Sequence, residues 1–248
     1  MKNIRVKNII EAMEEYAPRE LALEWDNVGL MIGCGDMEVE KVLLCLDVTT
    51  EVIDEAVNLK CNMIISHHPY IFHSMKNIDL NTRKGKDIEK IIKNRIAVYS
   101  AHTNLDFAEY GVNYYLNKIV SGIISEKNMT VDKFAEELKR RLASPYVKTI
   151  YGKGTSGGDI VTDVDFMSSC GSCGKFVTDI SNACPRIFVT GEIGYNDALE
   201  LSLNGVTVIE AGHYDTEVII LPYLREYLER IFGNIFHLTK TDFKVSIT

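Results

Sequence analysis

Three short stretches of this chain carry side chains that bind divalent metals. His67 and His68 stand side by side in "IISHHPYIF", His102 and Asp106 lie in "AHTNLD", and His213 and Glu217 lie four residues apart in "GHYDTE". Neutral imidazole and carboxylate are the donors that borderline cations such as zinc, iron, manganese and nickel accept. Adjacent side chains at a strand end point in opposite directions, so two neighbouring histidines can serve two neighbouring ions. Residues four apart share one side of a helix start. Each group taken singly has a plainer reading: a packed or exposed strand-end histidine, Asp106 as a helix cap, Glu217 as a first-turn acid favoured by the helix dipole. Of the six histidines, four fall on these three stretches, His73 lies just beyond the first, and only His237 is elsewhere. That concentration favours a shared task.

The elements that must position these residues alternate. Val6, Ile9, Ile10 and Met13 recur at helical spacing before Pro18. "KVLLCLDV" (41–48) is a short apolar run typical of a strand covered on both faces. "TTEVIDEAVNLK" has a threonine cap and an early acid, so it predicts a helix. "NMIIS" then reads as strand, "DIEKIIKN" as helix, "IAVYS" as strand and "AHTNLD" (101–106) as the loop leaving it. Further helices are expected near 111–120, over "TVDKFAEELKRRL" (130–142) and over "YNDALELSL", with strands at "VKTIY", "DVDFM", "RIFVT" and "VTVIEA". A long closing helix over "TEVIILPYLREYLERIF" kinks or restarts near Pro222, and "NIFHLT" is a candidate last strand.

This alternation predicts an α/β fold: a three-layer αβα architecture with two intertwined similar halves and mixed, largely parallel sheets. The expected domains are 1–125, holding the HHP and HTNLD loops, and 126–248, holding the GHxxxE loop, together forming one metal-binding unit. In such sheets function gathers outside the carboxyl ends of the strands, where all three His-bearing stretches fall.

Composition narrows the function classes. The chain has 248 residues, 46% of them hydrophobic and 25% charged, with a formal net charge of −8. A net-acidic surface argues against wholesale wrapping of nucleic acid. No apolar run approaches the ~18 residues of a membrane span, and the charged start reads as an amphipathic helix, not a signal peptide. The six cysteines read as reduced thiols of a cytoplasmic protein. "GKGTSG" and the overlapping "GTSGG" (152–158) lack the strand-turn-helix context of a dinucleotide or nucleophile-elbow motif. "CGSC" (170–173) is a single C-x-x-C with no second pair, and reads as a glycine-rich turn.

The stretches "PRELALEWDNVGLMIG" (18–33), "LLCLDVTTEVIDEA" (43–56), "SHHPYIF" (66–72), "AHTNLD", "TGEIGYNDALE" (190–200) and "GHYDTE" (212–217) occur in an order that resembles the dinuclear-metal proteins called GTP cyclohydrolase 1 type 2 homologues, also described as NGG-interacting-factor-like. The resemblance covers nearly the whole chain. It implies two divalent ions per subunit (zinc, iron or manganese) held by His67, His68, Asp106, His213 and Glu217. One ion would take His68 and Asp106, the other His67 and His213, with Glu217 bridging. His102 and Glu192 would lie close by, orienting a ligand or meeting substrate. It further implies a homohexameric toroid, a trimer of dimers, and a metal-dependent hydrolase acting on a nucleotide, a cyclic amide or a phosphoester; the alternative is a non-catalytic metal-binding scaffold. The chain is the short form, without an inserted domain. It departs from the pattern at Cys173 and at Gly194-Tyr195-Asn196.

Overall fold

The computed structural model describes residues 3–126, 128–162 and 166–241. The chain first forms α1 (Val6–Tyr16), β1 (Gly29–Ile32), β2 (Val42–Cys45), α2 (Thr50–Leu59), β3 (Met63–Ser66), α3 (Arg83–Lys93), β4 (Ala97–Ser100), the short α4 (Thr103–Asp106) and α5 (Val112–Ile124). The same order then begins again with α6 (Val131–Leu142), β5 (Lys148–Ile150), β6 (Phe166–Ser172), α7 (Val177–Ala183), β7 (Ile187–Glu192), α8 (Tyr195–Leu203), β8 (Thr207–Glu210), the short α9 (His213–Glu217) and α10 (Ile220–Phe232). Strand β9 (Phe236–Leu238) follows.

The two sheets share one plan. The first has strand order β1-β4-β3-β2-β9 and the second β5-β8-β7-β6. In each, three successive strands run parallel, and the strand before them pairs antiparallel with the last of the three. The protein is thus α/β with mixed, mostly parallel sheets.

The chain divides into two compact units, one of residues up to Gly111 together with those from Ile220 onward, the other of Val112–Ile219. Helix α5 therefore belongs with the second sheet, where it packs on β6 and α6, and α10 with the first, against β2 and β9. The element order restarts between α5 and α6. The compact units part elsewhere because each repeat gives its last helix to the other unit.

In the first unit, Leu43, Ile64 and Val98 pack with Val52 and Ile53 of α2 and Ile91 of α3. Their strand neighbours Leu44, Ile65 and Tyr99 are buried on the opposite face, as the two-residue period of a strand requires. Helix α10 packs on β2, and is tied to α1 where the Tyr227 hydroxyl donates to the Ala12 carbonyl at 3.2 Å. Each such aliphatic side chain removed from water contributes roughly 1.5–3 kcal/mol. In the second unit Phe188 and Val208 pack with Val177 and Ile180 of α7 and Leu201 of α8, while α5 and α9 pack on β6.

Local chemistry sets the element ends. The Thr49 hydroxyl accepts the Val52 N–H at 3.3 Å and caps α2. Helix α3 starts at Arg83, ahead of the expected "DIEKIIKN", because the Thr82 hydroxyl accepts the Gly85 N–H at 3.1 Å. The expected closing helix is two: α9 ends at Glu217 and α10 restarts at Ile220, with Pro222 in its first turn, where a missing N–H costs nothing. The start of the expected strand "DVDFM" (163–165) lies outside the described residues. Strand β6 begins at Phe166 and runs through Cys170 and Gly171, where a turn was expected. Strand β1 and helix α7 were not anticipated; both are short, four and seven residues. No described helix is long and apolar enough to cross a membrane.

Candidate metal centre

The carboxyl ends of β3 and β4 hold the candidate residues of the first unit. The backbone of the double histidine stays in register with β2, the His67 N–H donating to Cys45 O at 3.1 Å and the His68 N–H to Leu46 O at 2.9 Å. Ser66 Oγ donates to the His68 carbonyl at 2.8 Å, which fixes the peptide between them. The loop after β4, expected as irregular, holds the single helical turn α4, which starts after His102 and ends on Asp106. His67 Nε2 lies 3.5 Å from Asp106 Oδ1, with the imidazole fully buried. Nitrogen atoms of His67, His68 and His102 gather within 4.8 Å of one another.

The second unit holds a cluster of its own. In α9, His213 Nε2 lies 3.2 Å from Glu217 Oε1, and the Glu217 side chain is 3% exposed. Gly171 makes room for that carboxylate. A Cβ at Gly171 would stand 2.4 Å from Glu217 Oε1, and its φ of +56° is strained for any other residue. The N–H of Gly171 also donates to Thr216 Oγ1 at 3.3 Å. The "CGSC" stretch is therefore the strand end against which Glu217 lies.

Every histidine of the candidate set is held at Nδ1 by an oxygen. His67 bonds Ala101 O at 3.0 Å, His68 bonds Asp47 Oδ1 at 2.8 Å, His102 bonds Asp26 Oδ1 at 2.9 Å, and His213 bonds Glu192 Oε2 at 3.1 Å. A carbonyl or carboxylate oxygen only accepts, so Nδ1 carries a proton and Nε2 is the nitrogen each ring can offer to a metal. This is how metal-binding histidines are oriented, and it makes the imidazoles better donors. The donor set therefore fits a divalent cation in both units.

Asp26 is the most constrained of these oxygens. Its carboxylate accepts from His102, from the Thr103 N–H at 3.0 Å and from the Thr103 hydroxyl at 2.5 Å. Burial pushes its pKa up, but the bonds from His102 and Thr103 outweigh burial and hold it at about 2.

All the candidate residues lie at strand ends or on the short helices that follow them. Within the first unit the structure brings together His67, His68, His102 and Asp106; within the second it brings together His213, Glu217 and Glu192. It sets Asp106 Oδ1 3.5 Å from His67 Nε2. Sequence reasoning missed Asp26, Asp47, Gly171 and the Ala101 carbonyl. All four sit inside quoted motifs, which was the one available signal; which side chain each one meets emerges only from the folded chain.

Comparison with known proteins gives the family and the fold. The family model described as Duf34/NIF3 (NGG1p interacting factor 3) matches residues 4–245. A Clostridium acetobutylicum protein named GTP cyclohydrolase 1 type 2 homolog is 32% identical over 236 residues, covering 87% of this chain and 86% of that protein. A Listeria monocytogenes protein of the same name is 40% identical over 136 residues, but the match spans only 34% of its length. The crystal structure of a Bacillus cereus protein related to NIF3 superposes over 100% of both chains with a TM-score of 0.87 at 22% identity, a likeness of fold. The chain belongs to the DUF34/NIF3 family.

Proposed function

We propose that this protein is a dinuclear divalent-metal hydrolase, with His67, His68, Asp106, His213 and Glu217 as the ligands. The observation that carries this reading is the anchoring of Nδ1 in His67, His68 and His213, which makes Nε2 the nitrogen each ring can offer to a metal. His67 and Asp106, 3.5 Å apart, would hold metal together with His68, His213 and Glu217. When bound, divalent ions supply Lewis acidity and make hydroxide available near neutral pH, from a water whose pKa falls from about 15.7 towards ~7.

The chain's own residues do the rest. Asp47 and Glu192 hold the His68 and His213 rings in one tautomer. Burial of His67 and Glu217 keeps bulk water from competing for the ligand atoms. His102, fixed by Asp26, has a ring nitrogen within 4.8 Å of those of His67 and His68 and would orient a ligand or meet substrate. The names of the relatives suggest a nucleotide, and the same donor set suits a cyclic amide or a phosphoester. The resemblance carries with it a hexameric ring, which sedimentation of the purified protein tests separately.

The reading is tested with a panel of nucleotides, cyclic amides and phosphoesters offered to protein loaded with zinc, iron or manganese. Turnover that disappears in Asp106→Ala and Glu217→Ala supports it. Turnover unchanged in both variants excludes it, and full metal loading with no turnover of any class favours the non-catalytic scaffold.

A further inference from the structure

Beside the histidine cluster of the first unit, two aromatic rings stand out in solvent. Trp25 is 43% exposed and Phe72 40% exposed. Their centroids are 5.9 Å apart, and His102 lies 6.1 Å from Trp25 and 6.3 Å from Phe72. The three rings meet edge to face, with interplanar angles of 63°, 74° and 85°. His102 in turn lies 5.2 Å from His67 and 5.6 Å from His68. The aromatic pair therefore adjoins the candidate metal ligands through a single imidazole.

The pair is held in place by the backbone around it. Trp25 is followed by Asp26, which grips His102 and Thr103, and by Asn27, whose Nδ2 donates to the Ile71 carbonyl at 2.6 Å. Leu23 N–H donates to Thr103 Oγ1 at 3.0 Å. These bonds tie the Trp25 loop to both histidine loops and set Phe72 against Trp25. Large apolar rings fixed by polar bonds, yet left accessible, are pre-organised for a ligand.

We propose that Trp25 and Phe72 form a stacking platform for a planar heteroaromatic ring, whose attached oxygen groups reach the histidine cluster. This rests on the metal-site reading above and names the substrate class for it. A ring on the platform would leave a carbonyl, hydroxyl or phosphate within about one small-molecule length of the imidazoles. A purely aliphatic phosphoester would use the histidines and ignore the platform.

Trp25 is the single tryptophan of the chain, so its emission reports on the platform directly. The experiment titrates the zinc-loaded protein with guanosine 5′-monophosphate and, in parallel, with ribose 5-phosphate. The expected result is saturable quenching by the nucleotide alone, with Kd raised at least about five-fold in Phe72→Ala, the lower end of what one stacked base contributes. Phe72 is exposed enough for this truncation to spare the core, and a thermal melt of the variant checks that it folds. Equal affinity for both ligands, unaffected by Phe72→Ala, would overturn the platform while leaving the metal reading intact. Binding of neither ligand overturns it as well, and the zinc content of the same sample then shows whether the metal reading falls with it. An emission change that follows protein concentration and ignores the nucleotide would assign the patch to contact between copies, and equally overturns the proposal.

Discussion

His67 donates its Nδ1 proton to the carbonyl oxygen of Ala101 at 3.0 Å, a bond between residues at the ends of two neighbouring parallel strands. The sheet itself thus chooses the tautomer of the most deeply buried histidine in the cluster. For His68 and His213 the same choice is made by side chains, Asp47 and Glu192, and those can be changed without disturbing the sheet.

Asp47→Ala tests the choice at His68. The Asp47 side chain is half exposed, so its loss leaves folding of the metal-free protein within about 0.5 kcal/mol of wild type. Metal affinity should fall about 10–100-fold, as when the partner of a metal-bound histidine is removed. Competition with a chromophoric chelator measures it, and an unchanged affinity would deny Asp47 this part.

Gly171→Ala sets a methyl group against Glu217 Oε1. The positive φ alone costs about 1–2 kcal/mol in an L-residue, and the carboxylate must also move. The expected result is a lower melting temperature together with loss of bound metal. A variant that keeps full metal content would show that Glu217 is not held where the structure has it.

Asp26 gives acid stability a specific signature. Its folded pKa of about 2 lies below the ordinary 3.8, so the unfolded state binds more protons between those values and stability rises with pH there. The stabilisation is fully present above 3.8 and is lost as pH falls through about 2. Wild-type metal-free protein should lose on the order of 1–2 kcal/mol more than Asp26→Asn between about pH 5 and about pH 2. Denaturant melts at the two pH values check it; parallel losses would contradict it.

The six thiols divide by burial. Cys34 and Cys184 are exposed, while Cys45, Cys61, Cys170 and Cys173 are buried. Burial pushes the Cys61 and Cys173 thiols up to about 11, where thiolate is scarce at neutral pH. A disulfide-exchange reagent should titrate two thiols rapidly and all six only in denaturant. Rapid reaction at Cys173 would point instead to an accessible redox pair in "CGSC".

Much of this was legible in the sequence because its signals are local. The apolar runs at Val42–Cys45, Met63–Ser66 and Ala97–Ser100 are strands buried on both faces, and the threonine cap at Thr49 announces α2. Histidine type and strand-end position pointed to the candidate residues. The orienting oxygens were not legible, because Asp47 lies 21 residues from His68 and Asp26 lies 76 from His102, separations that only strand pairing closes. Nor was the assignment of α5 and α10 to opposite units, since an amphipathic stripe records that a helix is covered but not by which sheet. The single turns α4 and α9 are too short for periodicity to mark.

The central claim is that five side chains hold two cations, and metal analysis of the intact protein tests it most directly. Elemental analysis of protein dialysed against excess zinc, with anomalous diffraction to locate the ions, should give two ions per chain. They should lie at the Nε2 atoms of His67, His68 and His213 and at the carboxylates of Asp106 and Glu217. His67→Ala or His68→Ala should each reduce the count. Zinc absent from these five residues, or held in full by both variants, would contradict the account.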